Sequence, residues 1–238
     1  MLTQLQLGDI AVDVVRKDIK NVHLSVHPPT GRVRISAPTR MSLDTIRVFA
    51  ISKLHWIREQ QMRLRKQVRE TQREYLDRES HYVWGRRYLL EVVVSEEPSG
   101  VLVKHRRLIL TVRPGTKHLA RDELLAQWYR DEIKVTVPEL IAKWEPILGV
   151  EVRQFFVQQM KTKWGSCNTE ARTIRLNTEL AKKPKDCLEY IVLHEMIHLL
   201  EPNHGERFVS LLDRFMPKWQ FVRQKLNRLP IRHTEWNY

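Results

Sequence analysis

In VHLSVHPPTGRVRISAP, apolar and polar residues alternate on either side of Pro28, Pro29 and Gly31, which predicts a β-hairpin over roughly Val22 to Ala37. The period then changes. From about Asp44 to Arg73, Ile46, Phe49, Ala50, Leu54, Ile57, Met62 and Leu64 recur near helical spacing, so one long helix is expected, capped by Ser42 or Asp44. Arg47, Lys53, Arg58, Arg63, Arg65, Lys66, Arg69 and Arg73 fill much of the rest of it, either as a basic binding face or as a solvated surface. A second β segment follows in YVWGRRYLLEVVV and GVLVKHRRLILTV, separated by SEEPSG. Pro114 and Gly115 lead into a helix from about Leu119, which Pro138 and Pro146 should kink or end. The order strand, turn, strand, helix thus occurs twice, with weak residue similarity between the copies.

The remainder reads as a strand (about 150–158), a loop around KTKWGSCN, a strand (about 173–177) and a helix over 184–200. A turn at EPN, a helix from His204 and another after Pro217 complete it. This mixture defines the α+β class, with helices and antiparallel sheet in place of regular βαβ alternation. The expected division is an N-terminal hairpin plus long basic helix over 1–75, and a second domain over 76–238 whose core lies at about 150–238.

Charge adds a possible partner. The chain has 41 Lys and Arg against 28 Asp and Glu, a net +13, and residues 1–75 hold 14 basic and 7 acidic side chains. Residues 205–238 hold 7 and 3, while the middle is nearly balanced. Such a field attracts nucleic acid, nucleotides or an acidic protein, and a basic surface that serves only solubility reads the same way. No apolar run approaches the roughly 18 residues that span a membrane, and MLTQLQLGDIAVDVV lacks the features of a secretory signal, so a cytoplasmic location is expected. Cys167 and Cys187 are too few and too far apart for a disulfide framework and are expected to be reduced thiols.

The chemistry concentrates in HEMIHLLEPNH, His194 to His204. Residues i and i+4 share a helical face, so His194 and His198 can present imidazoles to one ion at about 2.0–2.1 Å. Glu195 projects beside them without being a ligand, as a base for water acidified by zinc. YIVLHEMIHLL is otherwise strongly apolar, and burying three polar groups without partners is unfavourable; a metal removes the difficulty. Pro202 should end the helix at Glu201, and Asn203 suits an N-cap with Glu206 at capping-box spacing, which brings His204 in as third ligand. Glu206 and Asp213 are the alternatives. The five-residue gap after His198 is also the metzincin spacing, but Glu201 stands where that pattern has glycine.

HEMIHLLEPNHGERF, preceded by KTKWGSCNTEARTIRLNTEL, resembles the YgjP-like metallopeptidase family of metal-dependent hydrolases. The similarity extends to RVRISAP and KLHWI, and is most specific at Trp164-Gly165-Ser166-Cys167, Leu176-Asn177 and the three histidines. It implies a zincin-type catalytic domain with His194, His198 and His204 on zinc and Glu195 as base. A more distant similarity, to SprT-like proteases, rests on His194-Glu195-Met196-Ile197-His198, His204-Gly205 and Phe208.

In the WGSC loop, Gly165 permits a tight turn, Trp164 offers an apolar face, and Ser166 and Cys167 are small, so the loop can line a substrate cleft or simply close a hairpin over a core tryptophan. Cys167 as nucleophile has no local support. Asn177 either places an amide at the site or caps the next turn. The expected activity is a zinc-dependent hydrolase acting on a peptide or protein, with an extended substrate paired to the adjacent strand. Two rivals stand beside it: a nucleotide phosphohydrolase using the same metal, although no Gly-x-x-x-x-Gly-Lys-Ser/Thr loop is present, and a nucleic-acid-binding protein with structural zinc. The sequence does not specify an oligomeric state.

Overall fold

The computed structural model describes residues 2–27, 30–66, 74–160 and 162–230, and these divide into two compact units, up to residue 66 and from residue 74 onward. Pro28, Pro29, Arg69 and Arg73 lie outside the described residues.

The first unit holds a four-stranded sheet of β1 (Leu2–Leu7), β2 (Ile10–Lys17), β3 (His23–His27) and β4 (Arg32–Pro38), in the order β1-β2-β4-β3. Alternation in RVRISAP buries Val33, Ile35 and Ala37 on one face, where they meet Leu5, Val12, Val14, Ile46, Ala50 and Ile57. In place of one long helix there are two, α1 (Leu43–Ser52) and α2 (Leu54–Lys66). The break has a local cause. The Ser52 hydroxyl donates to the Phe49 carbonyl, the acceptor that a continuing helix would offer to Lys53 N–H, and that N–H turns to Ala50 instead.

The second unit opens with the same sheet order. Strands β5 (Ser80–Val83), β6 (Arg86–Val94), β7 (Gly100–Lys104) and β8 (Arg107–Val112) are arranged β5-β6-β8-β7, with the central pair parallel as β2 and β4 are in the first unit. Each of the two β runs read from the sequence is itself involved in a reversal: YVWGRRYLLEVVV turns at Trp84 and Gly85, both at positive φ (49° and 78°), which suits a two-residue hairpin turn. The following helix, α3 (His118–Leu148), runs through Pro138 and Pro146 without ending and stops at Gly149 in the left-handed conformation. Its stripe of Leu125, Tyr129, Ile133, Val137, Ile141, Trp144 and Leu148 is buried along the whole length, and that packing outweighs the two lost backbone bonds.

Three further strands form the sheet that matters for the site: β9 (Gln154–Gln158), β10 (Gly165–Asn168) and β11 (Thr173–Asn177), in the order β10-β11-β9. The stretch GSCN, expected as a loop, is thus a strand, antiparallel to β11. A 3-10 turn (Thr178–Lys182) leads to α4 (Lys185–Ile197), then α5 (Glu206–Phe215) and α6 (Trp219–Arg228). Helix α4 packs against α3, α6, β10 and β11, which is why it is apolar nearly all round. No described helix is long and apolar enough to cross a membrane.

Candidate metal centre

Helix α4 presents His194 in its last turn, and His198 follows directly at its end. His204 comes from the segment before α5, whose N-cap is Gly205; Asn203 makes no cap there, and its N–H instead reaches a Glu201 carboxylate oxygen at 3.4 Å. One nitrogen from each of the three imidazoles lies within 4.8 Å of the other two, and Nε2 of His194 and Nε2 of His204 are 3.0 Å apart. Two nitrogens bound tetrahedrally to one zinc at about 2.0–2.1 Å lie about 3.3 Å apart, so the set has metal-binding dimensions.

The remaining ring atoms agree with that use. Nδ1 of His198 lies 3.2 Å from the Glu201 carbonyl, which can only accept, so Nδ1 carries the proton and Nε2 keeps its lone pair. Among the described residues Nδ1 of His194 is buried with no hydrogen-bond partner, and Nε2 is the nitrogen turned to His204. Burial pushes His194 down to about 3, and His198, His204 and Arg223 push the same way, which favours the neutral ring. Burial also lowers His198, against an opposing pull from the Glu201 carbonyl.

Phe208, one turn into α5 and fully buried, supports all three rings, with centroid distances of 4.8 Å to His194, 4.7 Å to His198 and 4.8 Å to His204. Tyr190, one turn before His194, meets that ring edge-on at 5.8 Å and stacks on Trp219 at 6.3 Å. Phe208 entered the sequence reading only through the SprT-like similarity, and Tyr190 did not enter it; the signal for Tyr190 was its spacing one helical turn before His194. Of the alternative third ligands, Asp213 accepts a bond from Trp219 Nε1 at 2.7 Å, and neither it nor Glu206 joins the histidine cluster.

Glu195 is buried, and burial pushes its carboxyl up to about 8 while the charge of Lys163 acts in the opposite direction. It lies directly beneath β10: a Cβ on Gly165 would stand 2.5 Å from its Oε1 and 2.8 Å from its Cγ. Gly165 therefore serves close approach, not a left-handed turn. Cys167 shares that face of β10, and its thiol is pushed up to about 11 by burial and by Glu195. Ser166, half-buried, lies on the opposite face of the strand, and Trp164 packs partly against the main core with the Lys183 ammonium 5.9 Å from its ring.

Asn177, read either as an amide at the site or as a cap on the next turn, is buried and caps the 3-10 turn. Its Nδ2 donates to the carbonyls of Met160 (2.9 Å) and Lys163 (2.8 Å), and its Oδ1 accepts from the N–H of Glu179 (3.1 Å) at the start of the 3-10 turn. Its own N–H donates to the Trp164 carbonyl at 2.9 Å. With both amide donors committed, Asn177 fixes the segment entering β10 and does not face a ligand.

A trio of imidazoles with a carboxylate beside it is the equipment of metal-dependent hydrolases. Residues 20–229 match the YgjP-like metallopeptidase domain, and the chain belongs to that family of metal-dependent hydrolases. Among solved structures it is similar to the metallopeptidase zymogen abylysin of Pyrococcus abyssi, at 19% identity over 38% of this chain and 90% of that one, with a TM-score of 0.36. It is also similar to the metallopeptidase zymogen jannalysin of Methanocaldococcus jannaschii, at 25% identity over 38% of this chain and 92% of that one, with a TM-score of 0.34. No curated protein matches the chain.

Proposed function

We propose that the protein is a zinc peptidase in which His194, His198 and His204 hold the metal and Glu195 is the general base. The observation that carries this reading is the three-imidazole cluster with a buried carboxylate one residue from its first member. The metal, when bound, supplies a Lewis acid that polarises the scissile carbonyl and makes water acidic. Glu195 accepts the proton of the attacking water and returns it to the leaving amine. Its burial under Gly165 keeps bulk water from competing for the carboxylate.

The substrate is held by backbone. Asn177 N–H donates to the Trp164 carbonyl, so Trp164 and Asn177 are a bonded pair, and the pairing alternates from there along β10. Gly165 and Cys167 fall at the unbonded positions, with their N–H and C=O groups turned to the outer edge. Among the described residues β10 is an outer strand of its sheet. An extended peptide adding to that edge lies alongside Glu195. Structural zinc is disfavoured by the donor set, since neither thiol joins the cluster.

Elemental analysis tests the ligand set. About one zinc per chain is expected in the wild type and a large loss in each of His194→Ala, His198→Ala and His204→Ala. Full metal content in His204→Ala would remove that residue from the set.

A further inference from the structure

Two cations flank elements of the candidate site, Lys163 just before β10 and Arg223 on α6. Arg223, on α6, has its guanidinium 5.9 Å from the ring of Trp219, within cation–π range, so part of its charge is engaged by the protein. Lys163 is different. It is exposed, and among the described residues no carboxylate lies within ion-pair distance of its ammonium and no ring receives it.

Its backbone is nevertheless held. The Lys163 carbonyl accepts from Asn177 Nδ2 at 2.8 Å, the next carbonyl accepts from Asn177 N–H at 2.9 Å, and two residues on, Gly165 lies against Glu195. A fixed backbone carrying a solvent-facing ammonium is how a protein presents charge to a ligand at low ordering cost. Lys163 thus precedes the strand that packs on α4, at the end where Gly165 meets Glu195.

We propose that Lys163 is a specificity-determining residue, its ammonium pairing with the carboxylate of an acidic side chain in a peptide bound along the outer edge of β10. The proposal rests on the peptidase reading. Lys163 precedes the first residue of β10 by two, so the acidic residue stands towards that end of the peptide, beyond the substrate residue opposite Gly165. The preference falls at one substrate position, with no general taste for anions.

The test uses the full, zinc-loaded chain and short neutral peptides in which Glu or Gln is placed at each position in turn. Binding is measured to Glu195→Gln protein by calorimetry, and cleavage separately with active enzyme. An exposed ion pair corresponds to a preference of about two- to fivefold. At one position Glu should bind more tightly than Gln by that factor; the ratio should fall to about one in the Lys163→Met background, and Lys163→Glu should favour Lys at the same position. Both variants replace an exposed side chain, so folding is preserved. A ratio unchanged by Lys163→Met, a wild-type ratio of one at every position, or no peptide binding at all overturns the proposal. Charge-selective binding that depends on Lys163, with no cleavage by active enzyme, supports the Lys163 subsite and overturns the peptidase reading instead.

Discussion

A methyl group on Gly165 would lie 2.5 Å from Oε1 of Glu195 and 2.9 Å from its Cδ. Strand β10, an outer strand among the described residues, and the Glu195 carboxylate on α4 are therefore in contact through the one residue type that permits it, and any side chain at 165 must displace Glu195.

Gly165→Ala is expected to keep the histidine cluster while moving the carboxylate. Overpacking of this kind costs about 1–3 kcal/mol. Thermal melting should show a loss in that range, zinc content should stay near one per chain, and turnover should fall at least about tenfold. Wild-type turnover in a zinc-loaded Gly165→Ala protein would show that Glu195 is free to move without consequence.

Asn177 offers a separate test of how β10 is held. Asn177→Ala leaves the Met160 and Lys163 carbonyls and the Glu179 N–H without this partner, at about 1–3 kcal/mol for each group left buried and unsatisfied. Asn177→Asp keeps the acceptor for Glu179 but loses both donors. Aspartate, which sets an acceptor oxygen against both carbonyls in a buried site, should therefore be the less stable of the two, and both should raise KM more than they lower kcat, because the proposed substrate edge is loosened. Equal stability of the two variants would remove the clamp from the account.

The pattern of residues made the histidine cluster readable and hid much of what supports it. His194 and His198 are fixed by helical periodicity, and His204 followed from the helix end at Pro202, although Asn203 does not cap α5 as its spacing implied. GSCN read as a loop because four small or polar residues carry no alternation of their own; pairing with β11 makes them a strand. The role of Asn177 depends on carbonyls 14 and 17 residues away, a distance no local pattern encodes. The break at Lys53 turned on one hydroxyl choosing the Phe49 carbonyl, while the apolar spacing ran on unchanged.

Cysteine chemistry gives a pH-dependent check. Burial pushes Cys167 up to about 11 and Cys187 up to about 12, so both are neutral thiols below those values and gain nucleophilic thiolate only as pH rises towards them. At pH 8 only about one Cys167 in a thousand is ionised. Alkylation by iodoacetamide should be slow at pH 8 and should accelerate about tenfold per pH unit to near 11, and Cys167→Ser should retain turnover. Rapid labelling of Cys167 at pH 7, with loss of turnover, would restore it as a candidate nucleophile.

The central claim is that Glu195 moves the proton while the three histidines hold the metal, and the most direct measurement pairs zinc content with turnover in Glu195→Gln. Glutamine keeps the size of the side chain and much of its hydrogen bonding but is not a base. The variant should fold, bind about one zinc per chain and lose about 10²- to 10⁴-fold in kcat on a peptide that the wild type cleaves. A Glu195→Gln protein that folds, holds its zinc and turns over at the wild-type rate would contradict the account.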